Sequence, residues 1–421
     1  MRLINKISTF FFICLIYFHM HNKYLLEYFR YLTDVKRLEF TYWGLSFLVY
    51  TSLIVLTKRE RNDGFQIVYN LLDIVFFAPI LTYLSFTHYI SIYFYVSLAI
   101  SLLIYKYNIG KIQVKFAPLI TRKFVDIFAV ITLLVAVVFV SKFEFNLNAS
   151  KIYEIRETYA DKTPGVLRYV VFWSAYFSAP YLFLRFIYDV GANRVMSSLI
   201  FLVTQLLLFS IGNNKSFLVI YFIIMSYVLL DRKKLKSINL EVLVKFPRYY
   251  LLLLGLLYGI VVIQPSLYIV ASFLFLRTVS LAPRQLDLYY SFIHDLERPL
   301  TFLAQNWPFR WFLSYPHDDV LGKVVSRSVL GIDSNANAAF LFSDGIAGFG
   351  IYLGPIISMT LLNCVLSLVM INPHNNHKVR VLLAIPFVIQ VLNTSVFTTV
   401  ITGGGLLIML LGLTQYETNK D

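Results

Sequence analysis

Residues 275–350 read FLRTVSLAPRQLDLYYSFIHDLERPLTFLAQNWPFRWFLSYPHDDVLGKVVSRSVLGIDSNANAAFLFSDGIAGFG. This is one long polar interlude in a chain otherwise built of hydrophobic runs. It carries Arg277, Arg284, Arg298, Arg310 and Arg327, with His317-Asp318-Asp319 near its middle. Loops of such length within a compact protein are usually functional or disordered. Trp307, Phe309, Trp311, Phe312 and Tyr315 crowd its centre, an aromatic density that disordered segments lack. The stretch therefore reads as a folded cap over a membrane site, and the remainder as the membrane domain beneath it.

Composition agrees. Of 421 residues, 58% are hydrophobic and only 14% charged, where soluble domains run nearer a quarter charged. Several apolar runs approach the ~20 residues that cross a bilayer. The predicted fold class is an all-α polytopic integral membrane protein of roughly twelve transmembrane helices, with a large extracytoplasmic loop between the late spans. The net charge of +14 does not indicate nucleic acid, because the basic residues gather in short loops between apolar runs, as cytoplasmic loops do. Lys58-Arg59-Glu60-Arg61 and Arg232-Lys233-Lys234 are the clearest of these. Both termini then fall inside the cell, and the loops at 142–165 and 264–345 fall outside. Cys14 and Cys364 both sit in apolar runs, where a packing role is expected.

Within the long loop, Arg284 to Arg298 has helical periodicity. Leu286, Tyr290 and Ile293 share one face, Asp287, Ser291, Asp295 and Arg298 the other, and Pro299 ends the run. Such a helix is expected to lie in the interface plane. Ser343-Asp344 supplies an N-cap signal before a glycine-rich re-entry, Gly345, Gly348, Gly350 and Gly354. From Ile346 to Ile371 the chain is expected to cross the membrane once. The last apolar region, Val381 to Leu413, fits two short spans hinged near Asn393-Thr394-Ser395.

Arginines at an extracytoplasmic face suit bidentate phosphate binding. Arg277 lies at the edge of an apolar run, where an unpaired charge is costly; a lipid diphosphate would satisfy it, and so would Asp287 or Asp344. Arg284 and Arg310 are further candidates, while Arg298 and Arg327 also fit as solvated charges. Arg156, in YEIRETY of the other outer loop, can oppose them or pair locally with Glu154 or Glu157. Lys215, beside an outer turn, can meet a phosphate or anchor the interface. His317 or Asp318 could act as a general base on a sugar hydroxyl, although Pro316-His317-Asp318-Asp319 equally fits an exposed turn. Asn335 and Asn337 could hold glycan hydroxyls. No phosphate-binding loop, nucleophile elbow, HExxH or paired-cysteine signature is present. No cofactor and no metal are expected.

Several stretches together resemble a known family. YEIRETY in an outer loop, GNNKSFLVIYFIIM after an outer turn, and NANAAFLFSDGIAGFGIYLGPI at the exit of the long loop are similar to Wzy-type O-antigen (oligosaccharide repeat-unit) polymerases. The spaced arginine and glycine pattern of two outer loops in some members does not recur here. The resemblance implies a bacterial inner-membrane glycosyltransferase with a periplasmic active site. Its substrate would be an oligosaccharide on undecaprenyl diphosphate, and a polysaccharide chain-length regulator would be its partner, beside the membrane lipids themselves. The growing glycan would leave its lipid diphosphate and join the non-reducing end of an incoming repeat unit. Arg277 and Arg284 would then hold the diphosphate, assisted by Arg156, with His317 or Asp318 near the acceptor. Two other classes meet the same charge requirement: a flippase for lipid-linked oligosaccharides, and an O-antigen ligase using the same donor. A flippase should concentrate its cations in a central cavity between similar halves, whereas this chain concentrates them in outer loops.

Overall fold

The computed structural model describes residues 40–56, 72–86, 90–106, 120–140, 159, 163–212, 215–232, 252, 255–256, 259, 263, 281–333, 341–371, 377–412 and 414–415. These residues are helical throughout, apart from turns and one two-residue parallel pairing of Ile120–Thr121 with Thr414–Gln415. Among the described residues, three helices are long and apolar enough to cross a membrane: Arg122–Val140, Gly165–Val190 and Ser343–Leu368. Ile92–Tyr105, Arg194–Ser210, Ser216–Ser226 and Leu382–Val391 form shorter apolar helices. In hydrocarbon every backbone N–H and C=O must be bonded within the segment, and a helix achieves this. The architecture is that of a helical membrane protein. The expected spans at the N-terminus and at residues 249–263 lie wholly or largely outside the described residues.

The chain divides into two compact units. One comprises Met1–Asn108, Glu241–Asn363 and Val391–Phe397; the other comprises Ile109–Leu240, Cys364–Gln390 and Thr398–Asp421.

In the second unit, Arg122–Val140 packs against Gly165–Val190 and Arg194–Gly212, and the last of these against Lys215–Arg232. Their faces carry few polar atoms, and several of these bond across the helices, although Gln205 Oε1 has no partner among the described residues. Thr132 and Ser178 hydroxyls lie 2.8 Å apart, Ser174 Oγ donates to the Thr132 carbonyl at 3.0 Å, and Gln205 Nε2 donates to the Ala175 carbonyl at 3.0 Å. Two π-helical turns, Ser174–Ser178 and Phe186–Val190, widen the Gly165–Val190 helix. Gly191, at φ +71°, ends it, a left-handed conformation that glycine adopts without a Cβ penalty. An ionic ladder closes this end: Arg122 bonds Asp189, Arg185 reaches Asp126 at 2.6 Å and Asp189 at 3.5 Å, and Tyr181 donates to Asp126 at 2.7 Å.

In the first unit, Phe40–Leu56 packs on Ala78–Leu84 and Ile92–Lys106. The Leu281–Tyr290 helix packs on Ala78–Leu84 and on Leu321–Leu330. Here the structure corrects the sequence twice. The helix expected over Arg284 to Arg298 spans Leu281–Tyr290, continues as a π turn over Ser291–Asp295, and stops before Glu297, whose φ is +48°. Nor does it present one wet face over this stretch, because Pro283 through Tyr290 are all buried. Its polar face is tolerated inside because Arg284 and Asp287 neutralise one another one turn apart.

The re-entry also differs from a single straight crossing. Helical geometry breaks at Gly350 (φ +81°, ψ +173°). Residues before the break fold back along those after it, so that a Cβ on Gly345 would sit 2.6 Å from the Gly354 carbonyl oxygen and 2.1 Å from Ser358 Oγ. The glycines permit this contact. After the break the helix runs to Ile371, about 20 residues and ~30 Å, still enough to span. The final apolar region is broken twice, giving His377–Val391, Val396–Thr402 and Gly405–Gly412. The first break matches the expected hinge; the second falls at Gly403–Gly404, with Gly404 at φ +80°.

Candidate functional site

The candidate site lies in the first unit, where the chain after Asp295 turns back over the re-entrant helix. Three non-glycine residues here hold positive φ: Glu297 (+48°), Phe302 (+47°) and Leu303 (+66°). Such strain persists only where surrounding contacts over-determine it. Those contacts are visible. Thr301 N–H donates to the Ala347 carbonyl at 2.9 Å, and a Cβ on Gly348 would lie only 3.2 Å from the Leu303 nitrogen. Asn306 Nδ2 donates to Asp344 at 3.3 Å, anchoring the start of the one-turn helix Trp307–Arg310.

Beyond that turn the chain wraps a cleft of about 360 Å³, lined among others by Arg310, Phe312, Ser314, Tyr315 and His317. Arg310 is exposed and makes no ion pair among the described residues. Tyr315 meets His317 edge-on with 5.4 Å between ring centroids, and Phe292 backs the imidazole at 5.6 Å. Burial pushes the Tyr315 phenol up to about 12, against the opposing pull of Arg310. Burial also lowers the His317 pKa below its ordinary 6.5, and nearby Arg298 lowers it further, while Asp318 opposes the shift. At neutral pH the imidazole is therefore uncharged, so that one ring nitrogen is available as an acceptor.

The polar atoms of this segment are left over. Tyr315 Oη, His317 Nε2 and both amide atoms of Gln305 are buried without a hydrogen-bond partner among the described residues. Buried polar groups are nearly always bonded, and the exceptions call for a missing water, ion or ligand. At the cleft itself the Arg310 guanidinium, the neutral His317 imidazole and the Tyr315 phenol come together, a set able to bind a phosphate and sugar hydroxyls and, at the imidazole, to accept a proton.

The sequence candidates distribute unevenly over this arrangement. Arg310 and His317 share the cleft, with Asp318 exposed beside it. Arg284 is elsewhere: only 6% exposed, it bonds Asp287 through Nη1, while its Nε is buried without a hydrogen-bond partner among the described residues. Arg327 bonds Asp319 at 3.0 Å and Asp333 at 2.8 Å on the surface. Asp319 is held below the usual carboxylate range by the Val320 N–H, with Lys323 and Arg327 adding to the effect. Lys215 opens the Lys215–Arg232 helix of the second unit. Arg277, Arg156, Asn335 and Asn337 lie outside the described residues. No group of three or more His, Cys, Asp or Glu able to hold a metal occurs among the described residues.

Three residues gain importance that sequence reading did not give them. Arg298, just beyond the π turn, adds to the lowering of the His317 pKa, and Tyr315 meets the imidazole edge-on from two positions upstream. Gln305 has no sequence signal at all; only its unpartnered burial marks it. Compared with protein-family models, curated proteins and solved structures, the chain has no significant match in any of the three.

Proposed function

We propose that this protein is a membrane glycosyltransferase of the O-antigen polymerase type, joining lipid-diphosphate-linked oligosaccharide repeat units at the periplasmic face of a bacterial inner membrane. In this reading the chain crosses the membrane roughly twelve times with both termini in the cytoplasm, and a chain-length regulator works beside it. The observation that carries the proposal is the meeting of Arg310 and the neutral, unpartnered His317 in one cleft, with Arg298 close enough to influence the imidazole.

The chemistry follows from that pairing. An acceptor hydroxyl on the incoming repeat unit attacks the anomeric carbon of the growing chain. The carbon–oxygen bond to the lipid diphosphate breaks, and the leaving diphosphate takes the electron pair. Guanidinium groups of Arg310 and Arg298 stabilise the charge that develops there, an effect of roughly 3–4 kcal/mol for a well-placed donor. His317 Nε2 accepts the hydroxyl proton, which requires the neutral imidazole that burial and Arg298 favour. Gln305 and Tyr315 offer hydrogen bonds to orient the acceptor sugar. The donor already carries its diphosphate leaving group, so no nucleotide is consumed in the step.

The test is the surface polysaccharide of a strain lacking the gene, resolved by gel. A core bearing a single repeat unit, restored to long chains by the wild-type gene, is the expected result. Loss of every repeat would instead favour a flippase or ligase: repeats stranded on the cytoplasmic side indicate the former, long lipid-linked chains in the periplasm the latter. Unaltered polysaccharide would overturn all three.

A further inference from the structure

The second unit holds an apolar groove for which the proposed reaction has no use. It lies between the Gly165–Val190 and Arg194–Gly212 helices and encloses about 340 Å³. Phe183 and Phe201 line it and stack on each other, with centroids 4.6 Å apart and planes at 14°. Along the second helix its lining positions include Asn193, Ser197, Ile200 and Thr204, spaced at three and four residues as one helical stripe. From Asn193 to Thr204 that stripe rises roughly 16 Å, about half the ~30 Å hydrocarbon core of a bilayer. The groove therefore has the depth of one leaflet.

Its two ends differ in chemistry. Thr204 Oγ1 donates to the Ile200 carbonyl at 2.8 Å, so the deep end offers little free polarity. At the other end Asn193 Oδ1 accepts from Val195 N–H at 3.0 Å and from Met196 N–H at 3.3 Å, capping the helix. Arg194 lies between these lining positions, exposed, and makes no ion pair among the described residues. Its neighbours at this end are committed: Arg122 bonds Asp189, and Arg185 bonds Asp126 and Asp189. Charge and depth thus describe one occupant, a hydrocarbon chain of leaflet length with an anion at its polar end.

We propose that this groove binds one acyl chain of an anionic phospholipid, with the headgroup phosphate at Arg194. The site is independent of the proposed reaction, and its test does not use activity. The purified full-length protein, stripped of lipid in detergent, is mixed with phosphatidylglycerol or phosphatidylcholine of identical acyl chains and examined by native mass spectrometry. The wild type should retain one phosphatidylglycerol in preference to phosphatidylcholine. Arg194→Gln, a surface change that should fold normally, should weaken that preference roughly fivefold, as expected for one basic residue near an anionic lipid. Ser197→Trp should fill the groove and weaken retention of both lipids. Equal retention of the two lipids by the wild type, or an Arg194→Gln variant that keeps the full preference, overturns the proposal. A lipid-free dimer would overturn it too, by showing that the groove is covered by a second copy.

Discussion

In the second unit the charges at the end of the Gly165–Val190 helix are consumed by one another. In the first unit the segment from Gln305 to His317, which forms the cleft, leaves its polar atoms unspent. Arg122, Asp126, Arg185 and Asp189 form a ladder to which Tyr181 adds a hydrogen bond. Arg310 has no ion-pair partner among the described residues, while Tyr315 Oη, His317 Nε2 and the Gln305 amide have no hydrogen-bond partner among them. Both regions place polar groups close to an apolar domain, yet only one has satisfied them internally. Buried polarity that is paired holds helices together; buried polarity that is left open is available to a ligand. The contrast can be tested from either side.

The largest effect is expected at Arg284–Asp287, the buried pair of the Leu281–Tyr290 helix. Both side chains are 7% exposed, so Asp287→Ala leaves a buried, uncompensated guanidinium. A loss of about 3–5 kcal/mol follows, read as a collapse of the thermal midpoint in detergent. An unchanged midpoint would mean that water reaches Arg284. Next comes Asp126→Ala in the ladder, which strips the hydrogen-bond acceptor from Tyr181 but leaves Arg185 its second carboxylate at 3.5 Å. A smaller loss, on the order of 1–3 kcal/mol, is expected from the same measurement.

A subtler difference concerns pH. The folded state lowers the His317 pKa below its ordinary 6.5, so the unfolded chain binds the proton more readily. The stability contributed by neutral His317 is therefore full above 6.5 and is lost as pH falls below it. Polymer synthesis in membranes should likewise hold steady at neutral pH and decline only below 6.5, and His317→Gln should abolish that acid-side dependence of stability. A midpoint-against-pH profile identical in wild type and variant would remove His317 from the account. The smallest effect belongs to Arg327→Ala. Its bonds to Asp319 and Asp333 lie at the surface, where such pairs contribute little, and neither midpoint nor polymer length should move measurably.

Hydropathy made the membrane helices legible. The apolar runs at 124–140, 166–187 and 195–212 of the sequence fall on the helices Arg122–Val140, Gly165–Val190 and Arg194–Gly212. Helix boundaries in lipid follow the apolar-to-charged transition, which sequence displays directly. The Gly350 break was not legible, because glycine in a re-entrant run signals close approach without saying where the chain folds back. Arg284 misled for a different reason. Its three-residue spacing from Asp287 permits an ion pair, but helical periodicity alone assigns both to a wet face, and only packing on Ala78–Leu84 and Leu321–Leu330 buries them. At the site, His317 and Arg310 were legible as titratable and cationic groups in a polar loop. Tyr315, Gln305 and the action of Arg298 were not, since each depends on how the segment from Glu297 to His317 curls rather than on any spacing along it.

The account rests on the open charges of the cleft serving a ligand rather than the fold. The most direct measurement is complementation of the deletion strain by an Arg298→Ala, Arg310→Ala double variant at wild-type protein abundance, with its thermal midpoint recorded beside its polysaccharide. The account predicts an unchanged midpoint and surface core bearing only single repeat units. Long chains restored to wild-type length by that variant would contradict it.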